Sequence, residues 1–275
     1  MGVIPADLGN LSNLLSLNLA ANQLSGPIPP TIGKMKQLQR IDLSGNQLIG
    51  SIPNDLCQMN HLGELSLDGN MLVGPIPECL GDVKSLRKIF LDSNQLNSTI
   101  PSNFWNLTDL LDLSLSLNHL SGQLSSQLGN LNGSIPQSLG KVKDLITLDF
   151  SCNNLTGSIP KSLENLLMPE NFNVSNNKLE RKIPDGGRFP NFSASSFSNN
   201  LALCSPRKFQ FPPCPENHHR SWLKKLMVSS MILAVIVVIV MLVLIWMHKK
   251  KKIALSTDIS LPTLECRRIS YIELE

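Results

Sequence analysis

The stretch that decides the fold is Leu14-x-x-Leu17-x-Leu19-x-x-Asn22-x-Leu24-x-Gly26-x-Ile28-Pro29. An Ile-Pro pair recurs in step with it, from Ile28-Pro29 to Ile183-Pro184. A fixed period of this length is typical of a solenoid, in which each repeat packs only against its neighbours. The asparagine of the stretch repeats every 24 residues, with one interruption, at Asn22, Asn46, Asn70, Asn94, Asn118, Asn153 and Asn177.

Each position of the repeat has a physical role. Leu17 and Leu19 alternate with Ser16 and Asn18, which predicts a short strand with its leucines pointing inward. One repeat cannot bury these leucines alone, so neighbouring repeats must stack and share a core. An inward asparagine amide satisfies the buried backbone groups that the turn leaves unpaired. The sequence therefore predicts an α/β solenoid with a parallel β-sheet on its concave face.

The repeat is interrupted once. Asn118 and Asn153 are 35 residues apart, which is two repeats less 13 residues. The strand motif is missing between Leu131 and Asn132, so we expect about seven repeats within residues 1–184, one of which lacks its strand. Either that segment bulges out and the flanking strands pair directly, or the stack breaks there.

A second kind of segment follows the repeats. Residues 226–247 carry no charge and are long enough, at about 30 Å as a helix, to cross a bilayer. Lysines 249–252 come directly after it, which predicts a cytoplasmic C-terminus and extracellular repeats. Residues 185–225 are then a C-terminal cap and juxtamembrane linker, and residues 248–275 a cytoplasmic stub. The net charge of +3 gives no indication of nucleic-acid binding.

The cysteines and sequons fit an extracellular location. Cys204 and Cys214 flank a proline-rich segment after the last repeat, where a disulfide would close the core. Cys57 and Cys79 lie at nearly matching positions in adjacent repeats, and either bridge or remain two small buried thiols. Seven Asn-x-Ser/Thr sequons precede the membrane segment, which makes these asparagines candidate glycosylation sites: Asn10, Asn97, Asn106, Asn132, Asn154, Asn173 and Asn191.

Outward strand positions on the concave face are the candidates for ligand recognition, because they form an extended surface of side chains. Asp42 and Asp149 share one position of the repeat, and Asp68 and Asp92 share another. Phe90 is a large apolar residue on a face that should be polar, as in an anchor for a partner. A solvated polar face is the alternative interpretation. The candidate ligand-binding residues are Arg40, Asp42, Glu64, Asp68, Lys88, Phe90, Asp92, Asp112 and Asp149.

The Leu-x-Gly-x-Ile-Pro form of the repeat resembles the plant-specific class of leucine-rich repeats, which form a horseshoe. Together with residues 173–179, 192–204, 212–214 and the tail Arg267–Glu275, the chain resembles plant leucine-rich-repeat receptor-like serine/threonine kinases, among them the flagellin and elongation-factor sensors. The resemblance implies a plasma-membrane protein of immune or developmental signalling. It also implies a peptide or protein ligand on the concave face and a co-receptor kinase at the final repeats, residues 153–184.

The kinase motifs of that family are not found in this chain. It holds no glycine-rich nucleotide loop, His-Arg-Asp or Asp-Phe-Gly, so we predict no enzyme activity, no catalytic residue, no cofactor and no metal site. The chain begins inside a repeat without a signal peptide, which predicts that Met1 is an internal methionine of a longer receptor. The predicted function is a membrane-anchored receptor-like protein without its own kinase domain. The alternative is a fragment of a complete receptor-like kinase.

Two further classes fit the sequence less well. The membrane segment excludes a soluble secreted inhibitor. The stretch Arg267–Glu275, which in the resembling family leads into a kinase domain, argues against a receptor that has no kinase at all.

Overall fold

A computed structural model describes residues 2–122, 142, 144–167, 169–205, 211–215 and 218–257. The chain forms two compact units, Met1–Cys214 and Pro215–Glu275. The first unit is built from short strands, which in chain order are β1 Gly2–Val3, β2 Ser16–Asn18, β3 Leu24–Gly26, β4 Arg40–Asp42, β5 Gln47–Gly50, β6 Glu64–Ser66, β7 Met71–Gly74, β8 Lys88–Phe90, β9 Gln95–Leu96, β10 Asp112–Ser114, β11 Ser121–Gly122, β12 Thr147–Asp149, β13 Asn154–Gly157, β14 Asn171–Asn173, β15 Lys178–Lys182 and β16 Ala202–Cys204.

These strands form parallel sheets on two sides of the solenoid. One sheet has seven strands in the order β14-β12-β10-β8-β6-β4-β2, so that each repeat adds one strand. This sheet is the predicted concave face. The second strands of the repeats form a sheet of five, β1-β3-β5-β7-β9, and a sheet of four, β11-β13-β15-β16. The prediction of a parallel-strand leucine-rich solenoid is confirmed.

Short 3₁₀ helices make the return segment of each repeat. Proline precedes most of them, and its fixed φ suits the residue before a helical turn. The segments within the described residues are Ala6–Asn10, Pro30–Lys34, Asn54–Gln58, Glu78–Asp82, Ser102–Asn106 and Lys161–Asn165, with Phe189–Asn191 and Ala194–Phe197 in the C-terminal cap.

The core is a continuous column of aliphatic side chains, joined by a ladder of asparagines. Ile41, Leu65 and Ile89 are fully buried, one from each successive strand of the concave sheet. Asn94 Nδ2 lies 3.0 Å from Leu67 O and 3.2 Å from Leu91 O, while its Oδ1 accepts the Leu72 N–H at 3.0 Å. The buried amide thereby ties two neighbouring repeats together. Its equivalents from Asn46 to Asn177 repeat this bonding.

Close approach of successive return segments depends on one position of the repeat. A Cβ added to Gly33 would lie 2.4 Å from Asp55 O, and one added to Gly81 would lie 2.4 Å from the carbonyl carbon of Asn103. Cys57 occupies the same position in the repeat between them, and it is joined to Cys79 by a disulfide with a Cα–Cα distance of 5.6 Å. The disulfide therefore connects two return segments at the position where the adjacent pairs of return segments approach each other closely at a glycine.

The ladder continues across the 35-residue interval. Strand β10 pairs with β12 in the register Asp112↔Thr147, Leu113↔Leu148 and Ser114↔Asp149. Asn153 Nδ2 bonds Leu115 O at 3.0 Å, as the other ladder asparagines bond the preceding repeat. The flanking strands thus pair directly, which is the first of the two alternatives. The junction of Leu131 and Asn132, where the missing strand was predicted, lies outside the described residues.

An aromatic cluster and a disulfide close the C-terminal end of the first unit. Phe172 packs against Phe189, Phe192 and Phe197, with ring centroids 5.3–5.7 Å apart. The asparagine ladder gains one more member here, since Asn200 Nδ2 bonds Val174 O and Phe197 O, each at 3.0 Å. Cys204 and Cys214 form a disulfide immediately after β16.

The second unit contains one long helix, α1, His218–Thr257. Its segment Ser229–Lys250 has a mean hydropathy of 3.1 and enough length to cross a membrane. The apolar side chains of residues 231–247 are exposed. Water solvates such a surface poorly, whereas a bilayer accommodates it. The predicted span, residues 226–247, overlaps this segment with an offset of three residues at each end.

Candidate ligand-binding face

Three rows of outward side chains run across the concave sheet. The first row is Ser16, Arg40, Glu64, Lys88, Asp112, Thr147 and Asn171. The second row is Asn18, Asp42, Ser66, Phe90, Ser114, Asp149 and Asn173. The third row follows the strands and contains Ser44, Asp68, Asp92, Ser116, Ser151 and Ser175. The nine candidate residues therefore lie on one face of the molecule.

Charges of the first row neutralise one another in pairs. Arg40 Nη2 lies 3.1 Å from Glu64 Oε1, and Lys88 Nζ lies 3.3 Å from Asp112 Oδ2. Arg40 also approaches Asp42 of the second row at 3.9 Å. Both basic side chains remain about half exposed, at 50% and 43%. These pairs therefore contribute little stability, but they fix alternating charges in defined positions.

The third row concentrates negative charge. Burial raises the pKa of Asp68, and the neighbouring carboxylates of Asp92 and Asp42 raise it further. Asp42 is held by Ser44, whose hydroxyl donates to Asp42 Oδ1 at 2.6 Å. Acidic groups on adjacent repeats thus influence one another, and a cationic partner would relieve their repulsion.

Phe90 lies in the middle of the second row. It is half-buried, with Ser66 beside it on β6 and Ser114 beside it on β10. Small polar neighbours leave the ring accessible from the concave side. Aromatic side chains are enriched at protein–protein interfaces, so Phe90 keeps its place as a candidate anchor for a partner.

The face extends one strand beyond the predicted candidates. Asn171 and Asn173 of β14 continue the first and second rows, and together with Asp149 they line an open cleft against the C-terminal cap. The 24-residue step from Thr147 and Asp149 indicates both asparagines. The residues on the cap side of the cleft do not belong to a repeat, so the 24-residue period could not predict them.

The described residues among the predicted glycosylation sites lie away from these rows, with the exception of Asn173. Asn10, Asn97, Asn106, Asn154 and Asn191 are exposed, whereas Asn173 is half-buried on the concave face. Its amide lies 3.4 Å from Asp149 Oδ2, and its Oδ1 accepts the Ser175 N–H. Asn132 lies outside the described residues. The Cys57–Cys79 disulfide is on the return segments, away from the concave sheet.

A comparison with protein families agrees with this geometry. The Leucine Rich Repeat model matches residues 13–35, 37–59, 85–107 and 144–166. The matched segments each contain the strand, the ladder asparagine and the start of the return segment described above. The chain is a leucine-rich-repeat solenoid. A comparison with curated protein sequences finds no match.

Solved structures to which this solenoid is similar include plant receptor ectodomains. The Arabidopsis receptor kinase HAESA, solved with the peptide hormone IDA and the co-receptor SERK1, is similar with 36% identity and a TM-score of 0.67 over 74% of this chain and 32% of HAESA. The plant peptide hormone receptor RGFR1, solved with RGF2, is similar with 31% identity and a TM-score of 0.57 over 74% of this chain and 33% of the receptor. The leucine-rich-repeat solenoid thus spans about a third of the length of these receptor structures.

A similar solenoid also occurs in a protein with a different function. A plant ice-binding protein is similar with 27% identity and a TM-score of 0.51, and the match covers 78% of this chain and 80% of that protein. The fold alone therefore does not determine what is bound, and the side chains on the faces of the solenoid must decide it.

Proposed function

We propose that this leucine-rich-repeat solenoid is the ligand-binding part of a single-pass membrane receptor-like protein. Its ligand is a peptide or a protein, bound on the concave face. The observation that carries the proposal is Phe90, an accessible ring between the charged first row and the acidic third row. The similarity to HAESA and RGFR1, both solved with peptide hormones, supports the same class of ligand.

The membrane part of the proposal depends on helix α1. Its apolar segment supports an anchor, and the lysines at 249–252 support a cytoplasmic C-terminus with extracellular repeats. We place the protein in the plasma membrane, with glycosylated repeats and a co-receptor kinase at residues 153–184. A role in plant defence, as in the flagellin sensors, remains a prediction from the sequence.

We further propose that this chain acts by binding and not by phosphate transfer. The alternative function is that of a complete receptor-like serine/threonine kinase of which this chain is one part. Its support is the stretch Arg267–Glu275, which resembles the segment that leads into the kinase domain of such receptors. Sequencing the full transcript distinguishes the two: a kinase reading frame after Glu275 establishes the alternative, and a stop codon there excludes it.

The binding proposal is tested by site-specific photocrosslinking. The full chain in lipid nanodiscs carries p-benzoylphenylalanine in place of Phe90, and it is exposed to the extracellular peptide fraction of plant tissue. The matched control carries the same probe in place of Met71, which is 40% exposed on the five-stranded sheet. We expect a crosslinked peptide or protein at Phe90 and none at Met71. Equal labelling at both positions, or none at Phe90, contradicts the proposal.

A further inference from the structure

The concave face ends in a cleft of about 750 Å³ that the repeats alone would not make. One wall is formed by strands β12 and β14, with Asp149, Glu170 and Asn173. The opposite wall is the cap, with Asn191, Phe192 and Ser195. The cap takes the place of an eighth strand, because Val174 N–H donates to Ser196 O at 2.8 Å and Asn176 N–H donates to Ser198 O at 2.9 Å. The cleft is therefore a fixed feature of the closed end.

The charge of this cleft differs from that of the rest of the face. In the first row, the basic side chains of Arg40 and Lys88 are each paired with a carboxylate. In the cleft, the described lining residues include the carboxylates of Asp149 and Glu170 but no lysine or arginine. Within the described part of the chain neither carboxylate forms an ion pair. The cleft thus has negative charge that its own walls do not neutralise.

The hydrogen bonds in the cleft leave acceptor capacity free. Asp149 Oδ1 accepts the Ser151 N–H at 2.8 Å, whereas among the described residues the partner of Asp149 Oδ2 is the Asn173 amide, at a long distance of 3.4 Å. A carboxylate accepts up to about four hydrogen bonds. Hydroxyl and amide groups on the cap side supply further polar contacts. A donor that carries positive charge is the group that matches this surface.

An aromatic ring gives the cleft an apolar side. Phe192 is half-buried and stacks on the buried Phe172, with a centroid distance of 5.3 Å and an interplanar angle of 20°. Such a ring accommodates the methylene stem of a lysine or the plane of a guanidinium, and it attracts the charge electrostatically. A hydrated metal cation has no methylene stem or planar group to pack on the ring, and a small anion is repelled by the negative face of the ring.

We propose that the cleft binds a lysine or arginine side chain of the ligand, with Asp149 and Glu170 as the charged partners and Phe192 as the packing surface. The inference rests on the proposed function, since it assigns one end of the ligand on the concave face. It gives the ligand a direction: its basic residue lies at the cap, and its apolar residue lies at Phe90.

The probe is the peptide acetyl-Gly-Ser-Lys-Ser-Gly-amide, and its neutral counterpart has the lysine acetylated. Both are titrated by saturation-transfer difference NMR against the full chain in phosphatidylcholine nanodiscs. Cell-free synthesis gives a chain without N-glycans, because the inference requires Asn173 and Asn191, which line the cleft, to be free of them. We expect the lysine peptide to bind the wild-type chain about tenfold more tightly than the neutral one.

Substitutions then locate the binding. Asp149→Asn and Glu170→Gln each weaken binding of the lysine peptide by about two- to fivefold, as the loss of one partly exposed ion pair does. Asp82→Asn is the matched control, because it removes one exposed carboxylate of a return segment, away from the concave face, and it leaves the affinity unchanged. Equal loss in Asp82→Asn, or equal affinity for the two peptides, overturns the inference.

Failure of this inference is distinguishable from failure of the proposed function. If Phe90 crosslinks a ligand but Asp149→Asn behaves like Asp82→Asn, the receptor function stands and the cleft assignment is wrong. If Phe90 captures nothing while the lysine peptide responds to Asp149→Asn as expected, the cleft binds cations and the proposed ligand face is wrong.

Discussion

Asn94 shows how one side chain holds two repeats together. It is 7% exposed and bonds backbone groups of both its own repeat and the preceding one. Replacing it with alanine leaves the buried Leu72 N–H without its partner. It also removes one of the two side-chain amide bonds to each of the buried carbonyls of Leu67 and Leu91. We expect Asn94→Ala to lower the free energy of unfolding by roughly 3 kcal/mol.

The matched control is Asn22→Ala. Asn22 occupies the same position of the repeat but is exposed, and it bonds only Leu19 O and Ala20 O nearby. Removal of the Asn22 side chain should lower the free energy of unfolding by less than about 1 kcal/mol. Urea denaturation of the full chain in detergent, followed by far-UV circular dichroism, measures both variants. Equal costs would show that the ladder bonds between repeats contribute nothing.

Asp68 makes stability depend on pH. Its pKa is raised in the folded chain, first by burial and then by Asp92 and Asp42, so the folded state binds the proton more strongly than the unfolded state. This contribution is present below the unfolded pKa and is lost as the pH rises through the folded pKa. Asp68→Asn should therefore raise stability at neutral pH, by less than about 1 kcal/mol because the group is partly exposed, and should flatten the pH profile.

Urea midpoints at pH 4 and pH 7 measure this effect. The exposed carboxylate of Asp7, far from the third row, provides the control variant Asp7→Asn. A larger gain for Asp68→Asn at pH 4 than at pH 7 would reverse the sign and refute the explanation.

For single residues, the sequence predicts the positions that the 24-residue period fixes. It does not predict contacts that depend on the distance between particular side chains. The ladder asparagines follow from the 24-residue step, but Asn200 comes 23 residues after Asn177 and escapes it. The pairing of Arg40 with Glu64 could be expected only once strands β4 and β6 were known to be in register. The row to which a residue belongs can thus be predicted from the period, whereas the formation of a particular ion pair depends on the rotamers of the two side chains.

Among the elements, the return segments constrain the sequence more tightly than the strands do. A Cβ on Gly81 would lie 2.4 Å from the backbone of Asn103 in the next segment. Backbone cannot move aside as a flexible side chain can, so the two segments must separate. We expect Gly81→Ala to destabilise the fold by about 1–3 kcal/mol.

Gly63→Ala is the control for that substitution. Its added Cβ would lie 3.6 Å from Gln39 O and Ser85 O, which is ordinary contact. We expect it to be neutral or slightly stabilising, because alanine restricts the unfolded chain. Thermal denaturation of the two variants gives the comparison. Similar melting temperatures would mean that the segments are not packed as closely as described.

This contact also explains why the sequence alone does not decide whether Cys57 and Cys79 form a disulfide. Their positions match a glycine and the residue that a glycine touches in the adjacent repeats, which is a fact of packing that no single repeat shows. Two cysteines at such positions are close enough to bond. The pairing of Cys204 with Cys214 was easier to expect, because only ten residues separate them.

For the whole molecule, the periodic part of the chain was predictable and the irregular part was not. Parallel stacking follows from the period, since every repeat must bury the same face. The continuity from β10 to β12 did not follow from the sequence, because the interval of 35 residues is compatible with a broken stack. It equals one repeat of 24 residues plus 11 more, and the ladder bonds from Asn153 keep their usual partners. The cleft at the cap depends on segments without any repeat.

The orientation of the chain in the membrane is the last prediction. Exposed apolar side chains over residues 231–247 favour insertion, and the lysines after Met247 favour a cytoplasmic end. In sealed microsomes that hold the inserted chain, external trypsin should remove only the tail after the helix. The protected part should carry N-glycans and shift on glycosidase treatment, and Asn97→Gln should remove one glycan step, because Asn97 is exposed. A protected tail with digested, unglycosylated repeats would establish the opposite orientation, and the concave face would then meet cytoplasmic ligands.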